Sequence, residues 1–254
     1  MPREVIIAGN WKMHKNRAEG ETFVSQLSSA VSDTSHTVYL AVPFPLVPYL
    51  SPMVEGSGIR IGAQNMHDAE AGAFTGEISA DMLLDSGAEF VLLGHSERRH
   101  LFGEDDAFVN RKMKRALSSG IRPILCVGET QSDREEGKTE EVLRGQLTNS
   151  LSGLSASEIA RSVIAYEPVW AIGTGLTASP EQAQEAHAFC RAVLEKLSNR
   201  ETAEDLSILY GGSVKPDNAR EIMEQPDVDG VLVGGASLKA DVFAQIVNYQ
   251  TMKV

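Results

Sequence analysis

Val163 to Ala178 reads VIAYEPVWAIGTGLTA. Val163, Ile164, Ala165 and Tyr166 form an apolar run of strand length, and Pro168 fixes its own φ while biasing Glu167 toward extended backbone. The strand therefore ends on a single carboxylate. Beyond it, Val169, Trp170, Ala171 and Ile172 are apolar and lie between a rigid proline and the flexible Gly173-Thr174-Gly175, so the loop reads as a lid. Ser179 then caps a helix, with Pro180 at the first helical position and Gln182 completing a capping box. From this stretch alone, Glu167 is either a solvated side chain at a strand end or a functional carboxylate, and both readings stand.

The same strand-then-helix unit recurs along the chain. Apolar runs end near Gly9, Val42, Ala63, Gly94, Val127, Tyr166, Tyr210 and Val233, which makes eight. Between them the spacing predicts helices over 17–32, 79–85, 105–119, 139–151, 180–197, 216–223 and 238–249, with 45–54 the least regular link. Repeated strand–helix order implies a parallel sheet with right-handed crossovers, and strands this apolar are buried on both faces. An open doubly wound sheet and a closed barrel both satisfy that order. The count of eight, the lack of a Pro/Gly/Ser-rich linker and the lack of Gly-x-Gly-x-x-Gly after the first strand favour a single-domain, eight-stranded parallel (β/α)8 barrel over residues 1–254.

Composition narrows the partners. The chain is 42% hydrophobic and 23% charged, ordinary for a globular protein. Its 23 Lys and Arg against 35 Asp and Glu give a net charge of −12, which argues against nucleic acid and anionic membranes and requires any anionic ligand to find a locally positive site. Met1-Pro2-Arg3-Glu4 running into Val5-Ile6-Ile7 lacks the pattern of a secretory signal and reads as a first strand. The most apolar segment, Val38 to Leu50, is interrupted by Pro43, Pro45 and Pro48 and is too short to span a bilayer. Cys126 and Cys190 have no metal-ligand spacing, so neither a zinc site nor a disulfide scaffold is suggested, and a reducing cytoplasm fits.

In a barrel, all residues immediately after the strands share one rim. They are Asn10-Trp11-Lys12, Gln64-Asn65, His95-Ser96-Glu97, Gly128-Glu129, Glu167, Gly211-Gly212-Ser213 and Gly234-Gly235. Lys12, alone a solvated lysine, would supply the positive charge that the acidic chain otherwise lacks. His95, alone a histidine satisfied in a turn, would be kept neutral by the amides of a helical turn beginning at Ser96. The two glycine pairs, alone mere turns, follow adjacent strands and fit a phosphate cradle of backbone amides, to which Gly173 of the lid could add its own. A carboxylate, a neutral imidazole, a lysine and a phosphate cradle, with no metal ligands and no nucleotide motif, point to proton abstraction beside a carbonyl in a small phosphorylated substrate.

The stretches AGNWKM, GAFTGEISADML, GHSERR, CVGET, YEPVWAIGTG, YGGSVKPDNA and VGGASL resemble the triosephosphate isomerase family, in its own order from end to end. The resemblance implies a TIM barrel that interconverts dihydroxyacetone phosphate and glyceraldehyde 3-phosphate without a cofactor, in glycolysis and gluconeogenesis. By motif position it makes Glu167 the base, His95 the electrophile, Lys12 and Asn10 the electrostatic partners and Glu97 the holder of Lys12. Gly173, Ser213, Gly234 and Gly235 would bind phosphate. It also implies a homodimer, in which Thr75 on the long loop 65–77 reaches the partner's active site. His14 stands where the family usually has asparagine, and with His67 it raises the expectation of pH-dependent dimerisation. Two rivals are disfavoured: a Schiff-base aldolase, which needs a strand lysine where Glu167 stands, and a non-catalytic binding module on the same fold, against which every catalytic position is intact.

Overall fold

Strand β1 (Ile6–Asn10) pairs in parallel with both β2 (Thr37–Val42) and β8 (Gly230–Val233), and this double pairing closes the sheet. Ile6 is in register with Thr37 on one side and Gly230 on the other. The computed structural model describes residues 3–172 and 177–250. Between β2 and β8 come β3 (Ile59–Ala63), β4 (Phe90–Leu93), β5 (Arg122–Val127), β6 (Val163–Tyr166) and β7 (Ile208–Tyr210), each hydrogen-bonded to the next in one closed parallel barrel. The open-sheet alternative is thereby excluded. Six strands end at the expected residue; β1 runs one residue further, to Asn10, and β4 stops one earlier, at Leu93.

The uniformly apolar strands are explained by two cores. Ile6, Ala8, Tyr39, Ala41, Phe90, Leu92, Ile124, Cys126, Val163, Ala165, Leu209 and Leu232 form one cluster inside the barrel. Their alternates, such as Ile7, Leu40, Val91, Leu125 and Ile164, belong to the larger cluster shared with the helices. The ring of Phe90 stacks on Tyr39 at 4.3 Å and fills the interior beside Gly62, where a Cβ would come within 2.5 Å of the Phe90 ring and carbonyl. Glycine there makes room for the aromatic pair.

Most predicted helices appear close to their expected bounds: Arg17–Ala30, Ala80–Asp85, Asp106–Ser119, Thr139–Ser150 and Pro180–Leu197. At Ser179 the capping box is present in full, since its side chain accepts from the Gln182 N–H and the Gln182 side chain accepts from the Ser179 N–H. Three segments differ. The expected helix over 216–223 begins only at Ala219, because Asn218 first folds back on the Lys215 N–H at 2.8 Å. The segment 238–249 divides into a 3-10 turn, Gly235–Leu238, and a helix, Ala240–Val247. The proline-rich 45–54 alternates between 3-10 and α turns. Among the described residues, no helix is long and apolar enough to cross a membrane.

A buried histidine behind β6 and β7 is expected to make the fold acid-sensitive. His187 is fully buried on the Pro180–Leu197 helix, donates from Nδ1 to the Asp227 carbonyl at 3.1 Å and packs edge-on against Tyr166. Burial pulls its pKa from 6.5 down to about 4, with the nearby Arg191 charge acting in the same direction against the pull of Asp227. Between those values the unfolded chain binds a proton that the folded chain does not, so stability falls as pH drops through this window, by about 3 kcal/mol at its lower end. His187→Gln keeps a donor for Asp227 and is expected to flatten the thermal midpoint between pH 6.5 and 4; a profile as steep as the wild type's would remove His187 as the cause.

Candidate active site

Glu167 is held where β5, β6 and β7 end together. Its N–H donates to the Val127 carbonyl at 2.7 Å, one residue past the strand, which continues the β5–β6 ladder and aims the side chain at the barrel mouth. The approach is so close that a Cβ on Gly128 would sit 1.7 Å from the Glu167 carbonyl oxygen, so only glycine fits there. The carboxylate is buried and both oxygens are occupied: Oε1 lies 2.9 Å from His95 Nε2, and Oε2 accepts from the Ser96 N–H at 3.0 Å. Burial raises its pKa, but His95, through its charge when the ring is protonated and through its hydrogen bond, together with the Ser96 N–H and Lys12, outweighs burial and holds the carboxyl below its ordinary value.

His95 is the N-cap of the short helix Ser96–Leu101, and its Nδ1 accepts from the Glu97 N–H at 3.2 Å. A ring nitrogen that accepts carries no proton, so Nε2 bears the hydrogen and donates it to Glu167. The expectation that its helical turn disfavours the charged ring is overturned in this arrangement. Burial does pull it down, but the adjoining Glu167 carboxylate, with Glu97, raises it above the ordinary value in this arrangement. Once Glu167 moves away, the strongest raising influence goes with it, and burial and the Glu97 N–H both favour the neutral ring.

Lys12 has left-handed backbone, φ +51, unusual for a residue with a side chain. Its N–H donates to Asn10 Oδ1 at 3.0 Å, and Gln64 Nε2 clasps the loop from the next strand but one, donating to the Lys12 carbonyl at 2.8 Å and the Ala41 carbonyl at 3.0 Å. These bonds hold the strained turn in place. The ammonium is 2.8 Å from Glu97 Oε1, the pairing that the motif implied.

A cavity of about 280 Å³ opens on this rim, lined by Asn10, Lys12, His95, Glu167, Ser213, Gly234 and Gly235 together with Ile172 and Leu232. Seven of the ten residues singled out from the sequence thus meet in one space. Glu97 lies beside it in a second recess of about 360 Å³, which shares Asn10, Lys12 and His95. Thr75 is exposed at the tip of the loop and lines neither recess. Gly173, and with it the centre of the expected lid, lies outside the described residues.

Two further groups had been placed on the rim by topology but given no role. One is Gln64, described above. The other is Glu129, fully buried, whose Oε1 accepts from the Tyr166 hydroxyl at 3.0 Å and Trp170 Nε1 at 2.9 Å and pairs with Arg134 at 3.3 Å. It ties β6 to the turn Val169–Ala171 just beyond Glu167. Ser96 is also part of the site, through a backbone N–H that no side-chain pattern reports.

Residues 5–250 match the profile of the triosephosphate isomerase family. A triosephosphate isomerase of Herpetosiphon aurantiacus is 53% identical over 249 residues, covering 98% of this chain and 100% of the relative. That of Geobacter metallireducens is 52% identical, covering 98% and 99%, and that of Protochlamydia amoebophila is 51% identical, covering 97% and 93%.

Proposed function

The chain belongs to the triosephosphate isomerase family and has triose-phosphate isomerase function, and from that premise we propose which residues carry the reaction. Glu167 is the base, His95 the electrophile, Lys12 and Asn10 the stabilisers of developing charge, and Glu97 the partner that holds Lys12. Ser213, Gly234 and Gly235 bind the phosphate of the triose, and Gly173 is assigned with them by motif position. The observation that supports this most is the meeting of Glu167, His95 and Lys12 with the two glycine turns around one cavity.

The chemistry follows from the bonds each group makes. Glu167 exchanges its Ser96 and His95 partners for a substrate carbon and takes the proton beside the carbonyl. The C–H electron pair forms the enediolate double bond, and the carbonyl pair moves onto oxygen, which Lys12 and the Nε2–H of His95 stabilise. Returning the proton to the neighbouring carbon, while His95 Nε2 gives its proton to the enediolate oxygen and takes up the hydroxyl proton of the neighbouring oxygen, completes the interconversion of dihydroxyacetone phosphate and glyceraldehyde 3-phosphate. Leaving His95 and Ser96 removes what holds the Glu167 pKa down, so burial then makes the carboxylate a stronger base as it reaches the carbon. His95→Gln is expected to lower kcat by about 10²-fold with little change in KM, because the bond it donates strengthens as charge develops on oxygen. A loss confined to KM would contradict that role.

We also propose that residues 1–254 are one catalytic domain, that it acts in the cytoplasm, and that it pairs into a homodimer through the loop 65–77. The dimer is supported by the recess beside Lys12 and by the exposed apolar side chains Met13, Phe74, Leu101 and Phe102. The loop is held ready on its own chain, by Arg111 on Asp68 at 2.7 Å, Arg115 on Glu70 at 2.6 Å and Lys112 on Asn65 at 2.8 Å. Thr75 at its tip would enter the partner's recess. Of the two histidines weighed as pH sensors, His14 is exposed, whereas His67 accepts the Ala69 N–H at 3.0 Å and lies against Phe74 at 4.3 Å within its own chain. Sedimentation at micromolar protein is expected to show a dimer, and a monomer would remove this proposal.

A further inference from the structure

A second lysine follows Lys12, and the mechanism leaves it unused. Lys15 also has left-handed backbone, φ +74, and among the described residues these two are the non-glycine positions with positive φ. Such conformations persist where the surroundings over-determine them. For Lys15 the surroundings are specific. Its Nζ donates to the Leu238 carbonyl at 2.8 Å and lies over the rings of Trp11 at 5.2 Å and Phe23 at 4.8 Å. Both rings are buried and packed edge to face at 4.8 Å, so the ammonium is directed by a fixed platform.

Both ends of that hydrogen bond lead to the cavity. Leu238 closes the 3-10 turn that starts at Gly235, and Ser237, fully buried, pins the same turn by donating from N and Oγ to the Gly234 carbonyl at 2.9 and 2.7 Å. On the other side, Lys15 stands one short bend from Lys12, and Asn16 begins the next helix with a complete capping box. The segment 12–15 is therefore held from both ends. Its only tie to the β8 turn among the described hydrogen bonds and ion pairs is the Lys15 to Leu238 bond.

We propose that Lys15 is a positioning residue for the isomerisation, the bond that fixes the loop carrying Lys12 against the turn carrying Gly234 and Gly235. This rests on the reading that Lys12 and that turn bind the substrate. A bond between the two loops sets the spacing between the ammonium and the phosphate amides, and displacements well under the length of a bond are costly in a preorganised site. A lysine that merely solvates a surface groove would leave phosphate affinity untouched.

The test uses the full chain with three substitutions of Lys15, one of Lys12, and inorganic phosphate as the probe. Lys15→Met retains the apolar stem between Trp11 and Phe23 but loses the donor, and is expected to weaken phosphate binding about tenfold and kcat/KM at least as much. The loss should persist in about 0.5 M NaCl, where a long-range charge effect is screened. Lys15→Arg, which keeps a cationic donor, should recover most of it. Lys15→Gly relieves the left-handed strain without restoring the bond, so it should be at least as thermostable as Lys15→Met and equally poor in phosphate binding. Phosphate affinity within about twofold of wild type in Lys15→Met and Lys15→Gly, or a loss that salt abolishes, overturns the proposal. Should Lys15→Met fail to fold, Lys15→Gly decides alone. Lys12→Met in the same assays separates the two levels: if it too is neutral, the assignment of the site is at fault, and if it alone is impaired, only the positioning role of Lys15 falls.

Discussion

Glu167→Gln is expected to lower turnover by about 10⁴-fold, the upper end of what a positioned general base contributes. The substitution keeps the size of the side chain and removes its ability to take a proton. It also disturbs the resting arrangement, because the carboxylate now accepts from both the Ser96 N–H and the His95 Nε2–H. An amide has one oxygen, so one of those donors would face an NH2 group. A modest fall in thermal midpoint should therefore accompany the loss of activity. Glu167→Asp separates reach from chemistry: it keeps the base but withdraws it by about 1 Å, and is expected to cost about 10²-fold. The ordering wild type, Asp, Gln is the informative result, read in a coupled isomerisation assay alongside loss of substrate proton exchange with solvent. Turnover of Glu167→Gln within tenfold of wild type would remove Glu167 as the base.

How much of this was legible beforehand depends on the physical range of each interaction. Strand ends could be read because apolar runs buried on both faces stop abruptly at residues such as Pro168 and Gly128, and local chemistry decides them. The helix at Pro180 was legible for the same reason, since its cap is complete within four residues. The short helices Gln131–Glu135, Ala156–Ile159 and Arg200–Asp205 were missed, because segments of four to six residues offer too few turns for apolar periodicity to show. Their only local sign is a capping side chain, from Thr130, Ser155 and Asn199. At the site, topology was enough to gather the strand-end residues on one rim. It could not reveal that Glu167 rests on a backbone N–H 71 residues away, because a main-chain donor leaves no trace in residue identity. The raised pKa of His95 was hidden for the same reason: the expectation considered its own helix, and the decisive charge comes from another strand.

Lys12→Met is expected to lower kcat/KM by about 10³-fold, a loss shared between kcat and KM. In a chain of net charge −12, a phosphorylated substrate has little to attract it except local cations, and among the described residues Lys12, together with Lys215, lines the cavity. Its charge acts on the bound phosphate and again on the enediolate oxygen, so both binding and the chemical step depend on it. The substitution does more than delete a charge. Glu97 Oε1, now 2.8 Å from the ammonium, would be left as an uncompensated carboxylate beside an anionic substrate. Adding Glu97→Gln to Lys12→Met should therefore recover part of the lost activity, although Glu97→Gln alone should lower it by freeing Lys12. This reversal of sign separates electrostatics from simple packing, since two independent structural defects would compound. Methionine meets the same left-handed backbone cost at this position as lysine, so strain contributes equally to both sides of the comparison. Lys12→Arg restores the charge but not the compact ammonium that fits beside Glu97, and should recover affinity more than turnover. Full activity in Lys12→Met, or a double variant no better than the single one, would show that the cavity stabilises its anions without this lysine.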